Sequence, residues 1–234
     1  MKRILIAMLL VASARAQQPP PAPPTPKITP VTDAMLQNPD PNEWLMWRRT
    51  LNSWGFSPLD QIKKSNVKDL RMVWTHGLGP GNQEGTPLVH NGVMFIPNPG
   101  DDILAVDART GDLLWEYKRK LPEGMRGKTN RAIAMWGTTL INSSSDNFIY
   151  ALDARTGKLA WEFQAEASKK DLMRVLNADG SLNQEAFSPV FGDFEDMYID
   201  FYRFISIGAI LSSPVVDKGV VYFGSMDGNL YALQ

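Results

Sequence analysis

A chain of 234 residues with 44% hydrophobic content has room for one or two domains and enough apolar material for a sizeable core, which excludes a disordered or coiled protein. Its 24 Lys and Arg stand against 25 Asp and Glu, so no global field draws it to nucleic acid or to an anionic membrane surface. With no Cys and only two His, a zinc site and a nucleophile–histidine enzyme both lack their raw material.

The first sixteen residues, MKRILIAMLLVASARA, place Lys2 and Arg3 before an apolar run from Ile4 to Ala12 and end on Ala14-Arg15-Ala16. That is the pattern of a secretory signal with an A-x-A cleavage site, and the run is far short of the ~20 residues a membrane span requires. The expectation is a mature chain starting at Gln17 in a periplasmic or secreted setting, without a membrane span. Residues 17–30, rich in Pro, read as a stiff leader with nothing to pack. Residues 31–70 read as a wrapping segment over the first repeat unit. Thr32 is placed to cap a short helix, Trp44, Trp47 and Trp54 lie close together, and SNVKDL is a short helical turn.

From residue 71 onward the chain repeats. AVDARTGDLLW (105–115) returns as ALDARTGKLAW (151–161), and Thr86–Asp107 aligns without a gap to Ser213–Gln234. Each unit reads as an apolar strand such as PLVH, a Gly-containing turn (Asn91-Gly92, Lys218-Gly219) and a β-rich run such as VMFI. A polar turn, a third strand such as ILAVD and, after D-A-R-T-G, a fourth strand such as LLWEY complete it. Four short antiparallel strands per ~45 residues is the period of a β-propeller blade. In the D-x-x-T-G turn, Asp107 and Asp153 accept backbone N–H bonds while Gly111 and Gly157 supply the positive φ that closes it. Trp115 and Trp161 are expected to be buried between blades, with Ala105 and Ala151 leaving room for a ring from the neighbouring unit.

The predicted fold is therefore all-β, an incomplete arc of about three blades at 71–118, 128–164 and 207–234, with an insertion at 165–206. The insertion carries NADGS and the aromatic-acidic run FGDFEDMYIDFYRF, read as a loop folded over one face. The third copy breaks off at Gln234 before its turn and Trp. Three blades do not close a ring, so the expectation is a fragment, or a chain that a protein partner completes. GLGPGN (77–82) opens no helix and is not a phosphate loop. Asp101-Asp102 and Glu195-Asp196 read as solvated turn carboxylates, because adjacent strand residues point to opposite faces.

The phrase A-x-D-x-x-T-G-x-x-x-W resembles the repeat of the quinoprotein family, the pyrroloquinoline quinone (PQQ) dependent alcohol dehydrogenases and their relatives. The likeness extends through WLMWRRTLNSWGFSPLDQIKKSNVKDLRMVWT and covers roughly residues 33–164. The resemblance implies the N-terminal part of a periplasmic PQQ-dependent dehydrogenase, an oxidoreductase acting on an alcohol-type substrate with a separate electron acceptor, inactive on its own. It also implies that Glu84, in NQEGTPLV, hydrogen-bonds PQQ and that Arg131, in KTNRAIAMW, holds a PQQ carboxylate, for which a planar guanidinium is suited. No catalytic residue is assigned, because the catalytic blades of the family lie further along. The adjacent cysteines that many members carry before Asn130-Arg131 are absent. Where the dehydrogenases place a Ca²⁺-binding Glu, this chain has Met226, Asp227 and Asn229, so no metal ligand is assigned. In this respect the third unit looks more like the non-catalytic propellers that assist outer-membrane protein assembly, and a protein-interaction scaffold is the alternative function.

Overall fold

In the computed structural model, residues 23–123, 129–166, 169, 177–179, 210 and 212–234 are described. The signal at 1–16, most of the insertion with its FGDFEDMYIDFYRF run, and Glu195-Asp196 lie outside them.

Three antiparallel sheets follow one another along the chain. The first holds β1 (Leu88–His90), β2 (Val93–Pro97), β3 (Ile103–Asp107) and β4 (Leu113–Tyr117) in that order. The second repeats the plan with β5 (Ala134–Trp136), β6 (Thr139–Ser143), β7 (Phe148–Asp153) and β8 (Leu159–Gln164). The third holds β9 (Val215–Asp217), β10 (Val220–Gly224) and β11 (Leu230–Leu233). These are two complete blades and three strands of a third, the incomplete propeller arc expected from the repeat.

Pairing in the two full blades is equivalent residue for residue. Ala105 faces Trp115 and Ala151 faces Trp161, and each ladder has its irregularity at the next step, between Ala105 and Val106 and between Ala151 and Leu152. The turn that sets this register is also the same twice. Asp107 Oδ1 accepts from the backbone of Arg109 (2.8 Å) and Thr110 (3.1 Å), and Asp153 Oδ1 accepts from Arg155 (2.9 Å) and Thr156 (3.0 Å). Gly111 and Gly157 close the turns at φ +76° and +68°, a region that side chains with a Cβ resist.

Burial is concentrated in the middle strands, while β4 and β8 are half-exposed. Phe95, Ile103, Leu140, Tyr150 and Leu152 interleave between the first two blades, and Ile141, Ile149, Val221 and Phe223 between the second and third. Each such side chain contributes about 1.5–3 kcal/mol by leaving water. Blade docking is completed by tryptophans. Trp115 lies flat over Gly157, where a Cβ would come within 2.5 Å of its ring, and its indole donates to Ala154 O at 3.0 Å. Trp161 packs against the apolar cluster between the second and third blades. Both rings are half-buried rather than fully enclosed. The expectation for the alanines needs correction: Ala105 and Ala151 sit opposite the Trp of their own blade, and the neighbour's glycine makes room for the Trp115 ring.

The segment before the blades is anchored to all three. Its helix α1 (Asp33–Gln37) is capped by Thr32 Oγ1 accepting from Met35 N at 3.4 Å. Val31 exchanges two backbone hydrogen bonds with Gly137 (2.8 and 2.9 Å), and Trp44 exchanges two with Val89 (both 2.9 Å). Asp33 Oδ1 accepts from Trp136 Nε1 (3.0 Å) and from Lys218 N (3.2 Å), tying the second and third blades through one carboxylate oxygen. His90, fully buried, meets Glu43 Oε2 through Nδ1 at 2.7 Å and Thr29 O through Nε2 at 2.8 Å. The Thr29 hydroxyl donates to Asn91 Oδ1 at 2.9 Å, so this carboxylate–His–Thr arrangement pins the leader rather than arming a nucleophile.

Candidate functional site

In a four-stranded antiparallel meander, the segment entering the first strand and the turn between the second and third strands lie at the same end of the blade. The segments 75–87 and 129–133 therefore share an end with the turns 98–102 and 144–147, and hydrogen bonds knit them together. Thr86 N donates to Arg131 O at 3.0 Å, and Gln83 Nε2 donates to Asn98 Oδ1 at 2.8 Å. Gly85 is wedged between strand end and loop: a Cβ there would meet Pro97 O at 2.6 Å and Asn130 O at 3.0 Å. Only glycine permits this approach, and it places Glu84 beside Arg131.

The two residues expected to contact PQQ, 47 positions apart, do come together. Arg131 Nε lies 2.9 Å from Glu84 Oε2, with 69% and 44% of the respective side chains exposed. An ion pair this open contributes little to stability, about 0–1 kcal/mol, so either partner is free to exchange it for a ligand group. Next to it Asn130 is buried, and its Nδ2 has no hydrogen-bond partner among the described residues. A buried amide donor left unmatched costs about 1–3 kcal/mol, so this amide gains from a ligand acceptor, as does that of Asn147 in the neighbouring turn.

Behind this end lies a polar layer that sequence reasoning missed. Arg119, nearly buried, grips Asp146 with two parallel bonds, Nε to Oδ1 at 2.7 Å and Nη2 to Oδ2 at 2.8 Å. It also reaches Glu162 at 3.2 Å and lies over the rings of Phe148 and Tyr150. Burial alone would push the guanidinium down; the bonds to Asp146 outweigh it and hold the group above its ordinary range. Asp101 is fully buried, contrary to its reading as a solvated turn carboxylate, because its Oδ2 accepts from Ser145 N of the next blade at 2.7 Å. Tyr150 donates to Asp101 O (3.1 Å) and accepts from Asn142 Nδ2 (2.9 Å), and burial pushes its phenol up, away from proton transfer near neutral pH. Asp102, beside Asp101, is raised chiefly by burial. The Arg119–Asp146, Ser145–Asp101 and Tyr150–Asp101 bonds run from the first blade to the second and tie their ends together.

At the third blade, Asp227 is engaged within its own turn: its Oδ2 accepts from Tyr231 OH at 2.7 Å and its Oδ1 from Asn229 N at 3.1 Å. Among the described residues no group of three His, Cys, Asp or Glu is placed to hold a metal ion. The residues at the first two blades fit a polycarboxylate ligand, through one guanidinium, one buried amide and one carboxylate acceptor; those present do not fit a bound Ca²⁺. No helix of the described residues is long and apolar enough to cross a membrane.

Four-stranded blades locked by tryptophan over glycine define a quinoprotein-type β-propeller. The chain belongs to the PQQ-dependent glucose/ethanol/alcohol dehydrogenase β-propeller domain family, whose pattern matches residues 44–177. It is 41% identical over 102 residues to the dehydrogenase subunit of the quinone alcohol dehydrogenase of Gluconacetobacter polyoxogenes, covering 41% of this chain and 14% of that one. It is 33% identical over 150 residues to the quinoprotein alcohol dehydrogenase PedH of Pseudomonas putida, covering 61% and 23%. The chain thus spans less than a quarter of the length of these curated relatives. Among solved structures it superimposes on a quinohemoprotein alcohol dehydrogenase of Pseudomonas putida HK5 with a TM-score of 0.60 at 25% identity, over 85% of this chain and 25% of that one. A europium-containing methanol dehydrogenase gives 0.59 at 22% identity over 83% and 29%, a likeness of fold.

Proposed function

We propose that this chain is the N-terminal part of a periplasmic PQQ-dependent dehydrogenase acting on an alcohol-type substrate, inactive without the rest of the propeller. Residues 1–16 are its export signal, 17–30 its spacer, 31–70 its wrapping segment and 165–206 an insertion between the second and third blades. The observation that carries the reading is the open Glu84–Arg131 pair beside the buried, unmatched Asn130. Arg131 holds a ligand carboxylate through its guanidinium, Asn130 donates from its amide, and Glu84 accepts from a ligand N–H or O–H. PQQ, when bound, supplies a two-electron acceptor for the alcohol. The part of this chain is to bind and orient, and the buried Arg119–Asp146 layer keeps those donors fixed.

The test is titration of the purified chain with PQQ, followed by Trp fluorescence and PQQ absorbance. Saturable binding is expected, and Arg131→Ala weakens it at least about tenfold, the scale of one charge-assisted hydrogen bond. No binding, or binding indifferent to Arg131→Ala and Glu84→Gln, overturns the reading. It would leave the alternative, a non-catalytic propeller used as a protein-interaction scaffold, which the engagement of Asp227 by Tyr231 within its own turn favours.

A further inference from the structure

The glycine-rich stretch GLGPGN (77–82) opens no helix, yet it runs directly into Glu84. Its backbone is laid like a strap along the turn that leaves β2. A Cβ at Gly79 would come within 2.9 Å of Asn98 Nδ2, one at Gly81 within 2.7 Å of Pro99 Cβ, and one at Gly85 within 2.6 Å of Pro97 Cγ. Three glycines of the strap therefore meet three consecutive residues, Pro97 to Pro99. Those residues make a stiff ridge, because both prolines have a fixed φ and Asn98 N donates to Asp102 O at 2.9 Å to close the turn. Gly81 sits at φ +130°, a conformation that side chains with a Cβ resist. One side chain fastens the strap to the ridge. Gln83 Nε2 donates to Asn98 Oδ1 at 2.8 Å and to Gly79 O at 3.1 Å. A backbone carbonyl only accepts, so it is the amide nitrogen of Gln83 that faces it, and Asn98 presents its oxygen to the same nitrogen. Asn98 is 2% exposed, and a buried acceptor deprived of its donor is costly, which favours the closed contact.

We propose that Gln83 is a positioning residue of the ligand site: by fastening the strap to Asn98 it keeps Glu84 aimed at a ligand N–H or O–H after Arg131 has turned to the ligand. This inference rests on the cofactor reading above. Among the described residues the Glu84 carboxylate has one partner, Arg131. A ligand carboxylate that draws Arg131 away removes that partner, and the direction of Glu84 then depends on its own backbone. That backbone is held on both sides. Ahead of Glu84 stands the Gln83–Asn98 bond, and behind it Thr86 N donates to Arg131 O at 3.0 Å. With both ties in place, Glu84 meets the ligand already ordered; with the first one cut, the strap has to be ordered at the moment of binding.

The test is titration of the full chain with PQQ, read by Trp fluorescence and PQQ absorbance, in the parent and in Gln83→Met, which keeps the length of the side chain and removes its amide. Gln83→Met is expected to weaken binding roughly twofold to tenfold, the ordering cost of about one mobile side chain, and to leave the circular dichroism unchanged. A double-mutant cycle separates positioning from mere structure. In a Glu84→Ala background, Gln83→Met is expected to weaken binding no further, because no carboxylate is left to aim. Binding by Gln83→Met equal to that of the parent overturns the proposal. So does a loss that persists undiminished in the Glu84→Ala background, which would show that Gln83 does not act through Glu84. A parent chain that binds no PQQ overturns the cofactor reading and this inference with it, so the parent titration tells the two failures apart.

Discussion

Gly157→Ala tests whether a tryptophan lying over a glycine is what joins one blade to the next. Gly92 provides the reference: it has φ +77°, and nothing lies within 4 Å of the point a Cβ would occupy. Alanine there bears only the left-handed backbone, about 1–2 kcal/mol, offset by about 0.4–1 kcal/mol from a less flexible unfolded chain. The net cost of Gly92→Ala is therefore about 1 kcal/mol. At Gly157, with φ +68°, the same backbone cost applies, but the new methyl falls 2.5 Å from Trp115 Cε3 and 2.8 Å from Cδ2. The ring has to slide outward by about 1 Å to reach ordinary contact. That stretches its 3.0 Å hydrogen bond to Ala154 O and unseats it from Phe95, whose ring centroid is 6.0 Å away. Overpacking of this kind costs about 1–3 kcal/mol and the hydrogen bond about 0.5–1.5 kcal/mol, which brings Gly157→Ala to about 3–5 kcal/mol. Urea unfolding followed by circular dichroism, with unchanged slope, measures both variants. In a Trp115→Ala background the extra cost of Gly157→Ala should vanish, as a double-mutant cycle would report. A Gly157→Ala penalty within about 0.5 kcal/mol of Gly92→Ala, or one that survives without Trp115, refutes the docking argument.

Two further outcomes follow from the charged groups. Arg119→Met leaves Asp146 buried without its guanidinium and is expected to destabilise the chain by about 3–5 kcal/mol, with Arg119→Lys recovering part, as urea midpoints would show. Asp153 is held below the ordinary carboxylate range chiefly by its hydrogen bond from the Arg155 side chain; burial opposes this, and the Arg155 backbone N–H and the Thr156 hydroxyl add to the lowering. Its contribution is thus full above the unfolded carboxylate pKa, about 3.9, and is lost as pH falls through its lower folded value. Asp153→Asn should flatten the fall in thermal midpoint below about pH 4, and an unchanged acid limb would contradict the turn's role.

The blades were legible because their code is local. A D-x-x-T-G turn needs only its own Asp and Gly, and alternating strands need only their neighbours, so β1 to β8 could be read from two copies of one phrase. Glu84 and Arg131 were found through family resemblance; nothing in their own surroundings in the chain announces a pair 47 residues apart. What stayed hidden is what forms between segments. Arg119 and Asp146 look like ordinary strand-end charges until adjacent blades put them together out of water, and Asp101 is buried by a backbone N–H that belongs to the next blade. Trp74, which lies over Gly111, falls within the first blade as read from the sequence, 71–118, but was not recognised as a docking tryptophan because no D-x-x-T-G precedes it. The signal available was its distance to Gly111, 37 residues, close to the 42 that separate Trp115 from Gly157.

The same contrast explains why the candidate site sits where it does. The two ends of each blade are held by different chemistry. At one end, the tryptophan–glycine contacts and the leader's backbone bridges are apolar or paired, as at Val31–Gly137. At the other, Arg119, Asp146, Asp101 and Tyr150 form a polar floor, and beside it stand an exposed ion pair and the buried amides of Asn130 and Asn147, whose Nδ2 atoms have no partner among the described residues. A ligand that replaces the weak Glu84–Arg131 contact and satisfies Asn130 binds at small reorganisation cost, because the floor already fixes the donors. Placing recognition at that end also leaves the tryptophan end free to set the spacing of the blades, so the residues that build the arc and those that would hold a ligand are separate sets.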